Sequence, residues 1–237
     1  IREKFNSWEK KIVPVFIPPV EAPILKPIEK NVTGPNAETV LMGFRFKGAG
    51  SAEADIIQLI SRILYNGTAG LMDLNLVQDQ KVLSASAFSV IFKDYSSLML
   101  NGDPKEGQKL EEVRDLLLQQ LDKLKSGDFP DWMIESTINN IRYEEMVQLE
   151  QNRYRADLYV AAFINHLKWA DVVNETDRLA KITKKDIIEF SKKNFGTNYV
   201  CVYKRTGEDK NVEKVEKPAI TPVEMNRNEM SPFVKNI

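Results

Sequence analysis

The sequence predicts an α+β fold, an antiparallel sheet covered by helices on one face. Three observations predict it. A strand of period two opens the folded body, two further strands follow with a short turn between them, and several helix-period segments precede a closing strand. A short turn joins antiparallel strands, whereas parallel strands need a long crossover, so this order is not that of a doubly wound α/β sheet.

The body opens at residues 39–47, where Val40, Met42, Phe44 and Phe46 alternate with Leu41, Gly43, Arg45 and Lys47. Gly48, Ala49 and Gly50 break that strand. Ser51 predicts a helix N-cap, with Glu53 and Asp55 suited to the positive end of the helix dipole. Ile56, Ile57, Ile60, Ile63 and Leu64 then share one helical face, and Asn66 with Gly67 ends it. Residues 68–75 predict one or two further helical turns. Residues 81–92 and 95–100 predict the strand pair, turning near Lys93 and Asp94. The first of these is rich in small residues (Ser84, Ala85, Ser86, Ala87, Ser89), which let another backbone, or a tightly packed helix, come close.

The middle of the chain is helical. Leu110, Val113, Leu117, Leu121 and Leu124 form one stripe, which Gly127 stops. Pro130 suits a first helical position, and Ile134, Ile138, Ile141 and Met146 carry the next helix to Leu149. A third helix starts near Arg153, uses Leu158, Ala162, Phe163 and Leu167, and carries His166. Thr183 and Asp186 predict a capping box before a helix bearing Ile187, Ile188 and Phe190. Residues 198–204 alternate Tyr199, Cys201 and Tyr203 with Val200 and Val202, a closing strand.

Composition narrows the function classes. The chain has 237 residues, 43% hydrophobic and 28% charged, with 33 basic and 34 acidic side chains and a formal charge of -1. That balance leaves no footprint for nucleic acid, and no apolar run is long enough for a membrane segment. Only one histidine, His166, and one cysteine, Cys201, are present. A protein-only zinc site needs three or four ligands, usually imidazole or thiolate, so this chain is expected to hold no metal and no cofactor. A Cys–His nucleophile pair has no local signature around it. Cys201 reads as a small buried residue and His166 as an ordinary helix residue. The doublets Glu111-Glu112 and Glu144-Glu145 read as solvated surface charges. Gly43, Gly48 and Gly50 lack the spacing of a dinucleotide fingerprint. Tyr143, Tyr154 and Tyr159 read as helix-packing residues.

Proline divides the chain. Six of 11 prolines lie between Pro14 and Pro35, and Pro218, Pro222 and Pro232 lie near the end. Residues 30–206 are therefore expected to form the folded domain, between proline-rich connectors at 1–29 and 207–237. The alternative is two extended arms packed on their own domain. Residue 1 is Ile and no signal-peptide pattern follows it, so the chain reads as part of a longer precursor. The compartment is left open, bacterial periplasm and cytoplasm included.

Three stretches resemble the pitrilysin/insulinase-type zinc metallopeptidases, the inverzincins, which include the mitochondrial processing peptidases. Residues 63–72 (Ile-Leu-Tyr-Asn-Gly-Thr-Ala-Gly-Leu-Met), leading to 82–87 (Val-Leu-Ser-Ala-Ser-Ala), are similar to the family's glycine turn, short helix and following strand. Residues 182–187 (Ile-Thr-Lys-Lys-Asp-Ile), through Phe190, Lys193 and Phe195 to Val200, are similar to its terminal helix–strand unit. The proline-rich entry and exit resemble its interdomain connectors.

The resemblance implies the processing-peptidase type of metallohydrolase fold. It also exposes departures. Family catalysis uses H-x-x-E-H on a helix plus a distant Glu, with the motif's Glu activating zinc-bound water. Here the helix after the first strand opens Ala52-Glu53-Ala54-Asp55-Ile56-Ile57 and has no histidine. Active members also carry an Arg and a Tyr in the second domain that contact substrate; Gly70 and Leu83 stand at those points. The resemblance therefore implies a non-catalytic companion domain, the second of a long four-domain peptidase, with zinc in another domain of that parent. Its partners would be the other domains and a peptide substrate. In insulysin-like relatives a strand of the second domain adds to an extended peptide. The corresponding residues are Val82, Leu83, Ser84, Ala85, Ser86, Ala87 and Phe88. A purely structural or assembly domain, like the inactive relatives built into respiratory complexes, is the alternative. An independent enzyme with an unfamiliar site is a third reading.

Overall fold

Val40, Met42, Phe44 and Phe46 all lie on one side of the central strand β2 (Thr39–Lys47) and all are buried. β2 organises a five-stranded sheet with β1 (Ile28–Gly34), β3 (Ser84–Ile91), β4 (Tyr95–Asp103) and β5 (Val200–Thr206), in the order β1-β5-β2-β4-β3. These elements come from a computed structural model that describes residues 2–9, 11, 12, 14–17, 19–208, 218 and 229–236. β2–β4, β3–β4 and β2–β5 are antiparallel, as expected. One edge pair, β1–β5, is parallel, with Ile28 opposite Val200 and Gly34 opposite Thr206.

One face of the sheet is closed by helices. α2 (Ala52–Leu64) packs on β3 and β4 and presents buried Ile57, Leu59, Ile60, Ile63 and Leu64. α3 (Leu110–Ser126) packs on β4 and on α8 (Lys184–Asn194) through Leu110, Val113, Leu117, Leu121 and Leu124. Phe195, just past α8, meets Phe44 edge-on with ring centroids 5.2 Å apart and also touches Phe46. Each large side chain removed from water in this way contributes about 2 kcal/mol, so the alternation along β2 decides which face the helices cover.

Local signals set the helix ends. Ser51 accepts the Ala54 N–H at 3.1 Å. Gly127 closes α3 in the left-handed conformation (φ 73°), where a Cβ is costly. Thr183 and Asp186 form the expected capping box, Asp186 Oδ2 accepting the Thr183 N–H at 2.8 Å. α4 (Trp132–Leu149) starts two residues after Pro130, with Asp131 as its N-cap. α5 (Asn152–Ile164) stops before His166, which is exposed and left-handed (φ 55°) instead of continuing the helix. The chain has to reverse there into two short helices not anticipated from sequence, α6 (Trp169–Val173) and α7 (Glu175–Leu179). The turns expected over 68–75 begin at Leu71 and pass into a π-helical stretch, Asp73–Gln78.

β1 was not expected, and it begins at Ile28, inside the stretch read as connector. It has no apolar alternation, because both its faces are largely exposed. Main-chain pairing with β5 forms it. Glu29 then anchors it, accepting from Arg114 Nη1 (2.9 Å) and Tyr203 Oη (3.1 Å). The residues before β1 touch the sheet's open face: Arg45 pairs with Glu21 and donates to the Ala22 carbonyl at 2.6 Å. A short helix at the N-terminus, α1 (Arg2–Phe5), precedes them.

The expected connector 207–237 lies mostly outside the described residues, as do Val13, Pro18 and Pro222. Residues 208–237 form a separate unit, in which Ser231 caps the helix α9 (Pro232–Lys235). No helix among the described residues is long and apolar enough to cross a membrane.

Candidate functional site

An edge strand presents unpaired main-chain N–H and C=O groups, and proteins blunt such edges with charge, proline, shortness or cover. The two edges of this sheet differ in that respect. β1 carries Glu29 and Lys30. β3 is eight residues long and pairs with β4 alone among the described residues. From Val82 to Phe92 the sequence has no charge and no proline.

The seven residues singled out from sequence divide into three groups on this edge. Val82 is buried and Leu83 is exposed; both precede β3 proper, and the Leu83 N–H donates to the Asp103 carbonyl at 2.9 Å. Ala85 and Ala87 face the helices and are buried, so their small size serves the close approach of α2. Ser84, Ser86 and Phe88 face the open side, Ser84 donating to Asp103 Oδ2 at 2.5 Å. Phe88 is 45% exposed, a large apolar side chain beside an unpaired edge.

The glycine turn upstream is held by two side-chain acceptors. Asp73 Oδ2 accepts the N–H groups of Asn66 (3.0 Å), Gly67 (3.2 Å) and Gly70 (2.9 Å). Asn66 Oδ1 accepts those of Thr68 and Ala69. A Cβ on Gly70 would sit 2.7 Å from the Leu64 carbonyl oxygen. Position 70 is thus closed to any side chain.

No three His, Cys, Asp or Glu side chains gather to hold a metal ion among the described residues. Cys201 is buried in β5, and burial pushes its thiol up to about 11, so it is neutral at physiological pH.

The structure adds a cleft that sequence reasoning missed. Ser89 and Ile91, at the far end of β3, form one wall of a space of about 510 Å3. α2 supplies Asp55 and Arg62, α5 supplies Leu158, and α7 supplies Glu175 and Arg178. Arg178 donates to both Asp55 oxygens at 3.1 and 3.3 Å. Arg62 grips both oxygens of Glu144, at 3.0 and 2.8 Å. The Glu144-Glu145 doublet is therefore not simply solvated: Glu145 accepts from Thr176 Oγ1 at 2.8 Å. Glu175 lies between this cleft and an adjoining one lined by Tyr154, Tyr159 and Trp169. Burial, reinforced by Asp55, pushes its carboxyl up.

The family profile described as the peptidase M16 inactive domain matches residues 1–141. The chain belongs to the peptidase M16 family. This is the zinc metallopeptidase family that the glycine turn and the terminal helix–strand unit resemble. No curated protein matches the chain in sequence. Among solved structures, a protease from Helicobacter pylori is similar over 86% of this chain and 51% of its own, with TM-score 0.79 and 15% identity. The periplasmic protease PqqL from Escherichia coli is similar over 86% of this chain and 24% of its own, with TM-score 0.65 and 12% identity. A chain of complex III from Candida albicans is similar over 75% of this chain and 45% of its own, with TM-score 0.62 and 10% identity. At these identities the likeness is one of fold. The M16 domain described here spans about half the length of the Helicobacter protease.

Proposed function

We propose that this M16 domain helps enclose a peptide and positions it for hydrolysis at a zinc site in another domain of a parent peptidase. The peptide would add as a strand to the free edge of β3. The observation that carries this reading is the unguarded edge: eight residues of strand with neither charge nor proline, offering main-chain groups to an extended partner. Main-chain pairing is tolerant of peptide sequence, which suits a domain that holds substrate without cutting it. Zinc belongs to the parent's catalytic domain in this account, and the partners are the other domains and the substrate.

Fluorescence anisotropy with a labelled extended peptide, followed by mass spectrometry of the mixture, tests the proposal. Saturable binding with the peptide recovered intact is the expected result. Cleavage by this chain alone would favour an independent enzyme, and absence of binding would remove the substrate role.

A second reading, an assembly domain without substrate, has one specific observation in its favour. Tyr159, Val160, Phe163 and Ile164 on α5 are all more than half exposed, a run of apolar side chains on one helical face, as protein contacts use.

A further inference from the structure

The cleft beside β3 sets a chemical condition on the peptide. In a paired strand, residues directly opposite one another point to the same face of the sheet. Ala85, Ala87, Ser89 and Ile91 all point to the helix face. A residue of an added strand lying opposite Ser89 or Ile91 must therefore send its side chain toward the space between β3 and α5–α7.

The charges facing that space are unevenly matched. Arg178 has its donors committed to the Asp55 carboxylate and, through Nη1, to the Asp171 carbonyl. Arg62 is committed to Glu144. Glu175 is half-buried and enters no direct ion pair among the described residues; the Arg178 guanidinium, engaged with Asp55, acts on it only through space. A half-buried carboxylate with no ion-pair partner of its own is costly, and an entering ammonium or guanidinium group would offset that cost. The apolar wall of Leu158 and Ile91 suits the methylene stem of such a side chain.

We infer that the cleft between β3 and α5–α7 is a subsite for a basic side chain, Lys or Arg, of the bound peptide, with Glu175 as its counter-charge. This rests on the strand-addition reading above and names the class of peptide that the edge prefers.

The test uses three labelled peptides of alternating threonine and valine that differ at one central position: lysine, norleucine or glutamate. A fourth carries the lysine with alternate main-chain amides N-methylated. The lysine peptide is expected to bind the chain about tenfold more tightly than the norleucine peptide, with the glutamate peptide weakest. Glu175→Gln is expected to bring the lysine peptide down to the affinity of the norleucine peptide, and N-methylation to weaken binding of the lysine peptide. If all three peptides bind equally yet N-methylation still weakens the lysine peptide, strand addition stands and the basic subsite is overturned. If none binds, or N-methylation has no effect, strand addition falls and the subsite with it. Should Glu175→Gln fail to fold, the ranking of the three peptides on the unsubstituted chain decides.

Discussion

Asp73 is the residue on which the glycine turn depends, because one carboxylate oxygen accepts three backbone N–H groups that have no other acceptor in the turn. Asp73→Ala is expected to lower stability by about 2 kcal/mol, read as a shift of the urea midpoint without a change in slope. Asp73→Asn, which keeps an acceptor oxygen, is expected to cost about half as much. Nothing in the sequence marked Asp73, since an Asp in a helical pattern looks like any surface acid. Gly127 and Thr183 were legible, because a left-handed C-cap and a capping box are decided within four residues. His166 was misread for the converse reason. The helical period runs on to Leu167, and only the reversal into α6 shows that the backbone has already turned.

Among the strands, those that bury one face were legible and the one that does not was missed. β2 and β4 show their alternation in sequence, and the small residues of β3 mark the strand on which α2 lies. β1 shows nothing, because its stability comes from β5 and from Arg114. At the same scale, α8 offers a pH test. The Thr183 hydroxyl and then the Thr183 N–H hold the Asp186 carboxyl below its usual value in the fold. A carboxyl depressed by folding adds stability above its unfolded pKa, and that stability is lost as pH falls through the folded value. Thr183→Ala is therefore expected to cost about 1 kcal/mol near pH 7 and markedly less near pH 2, compared by urea unfolding at both.

At the scale of the whole molecule, the sheet's buried face and its β3 edge differ in cover. One face buries the core, and the β3 edge pairs with β4 alone among the described residues. The scarcity of imidazole and thiolate, visible in composition alone, pointed to a non-catalytic role. The cleft was not visible, because Asp55 and Arg178 are 123 positions apart and meet only when α7 folds back on α2. The claim on which the account turns is that an extended peptide pairs with β3. Residue-resolved hydrogen–deuterium exchange of this chain with an uncleavable peptide tests it most directly. The account expects added protection over residues 82–91 and none over the opposite edge, 28–34. Protection confined to the apolar face of α5, or unchanged exchange along β3 at saturating peptide, would contradict it.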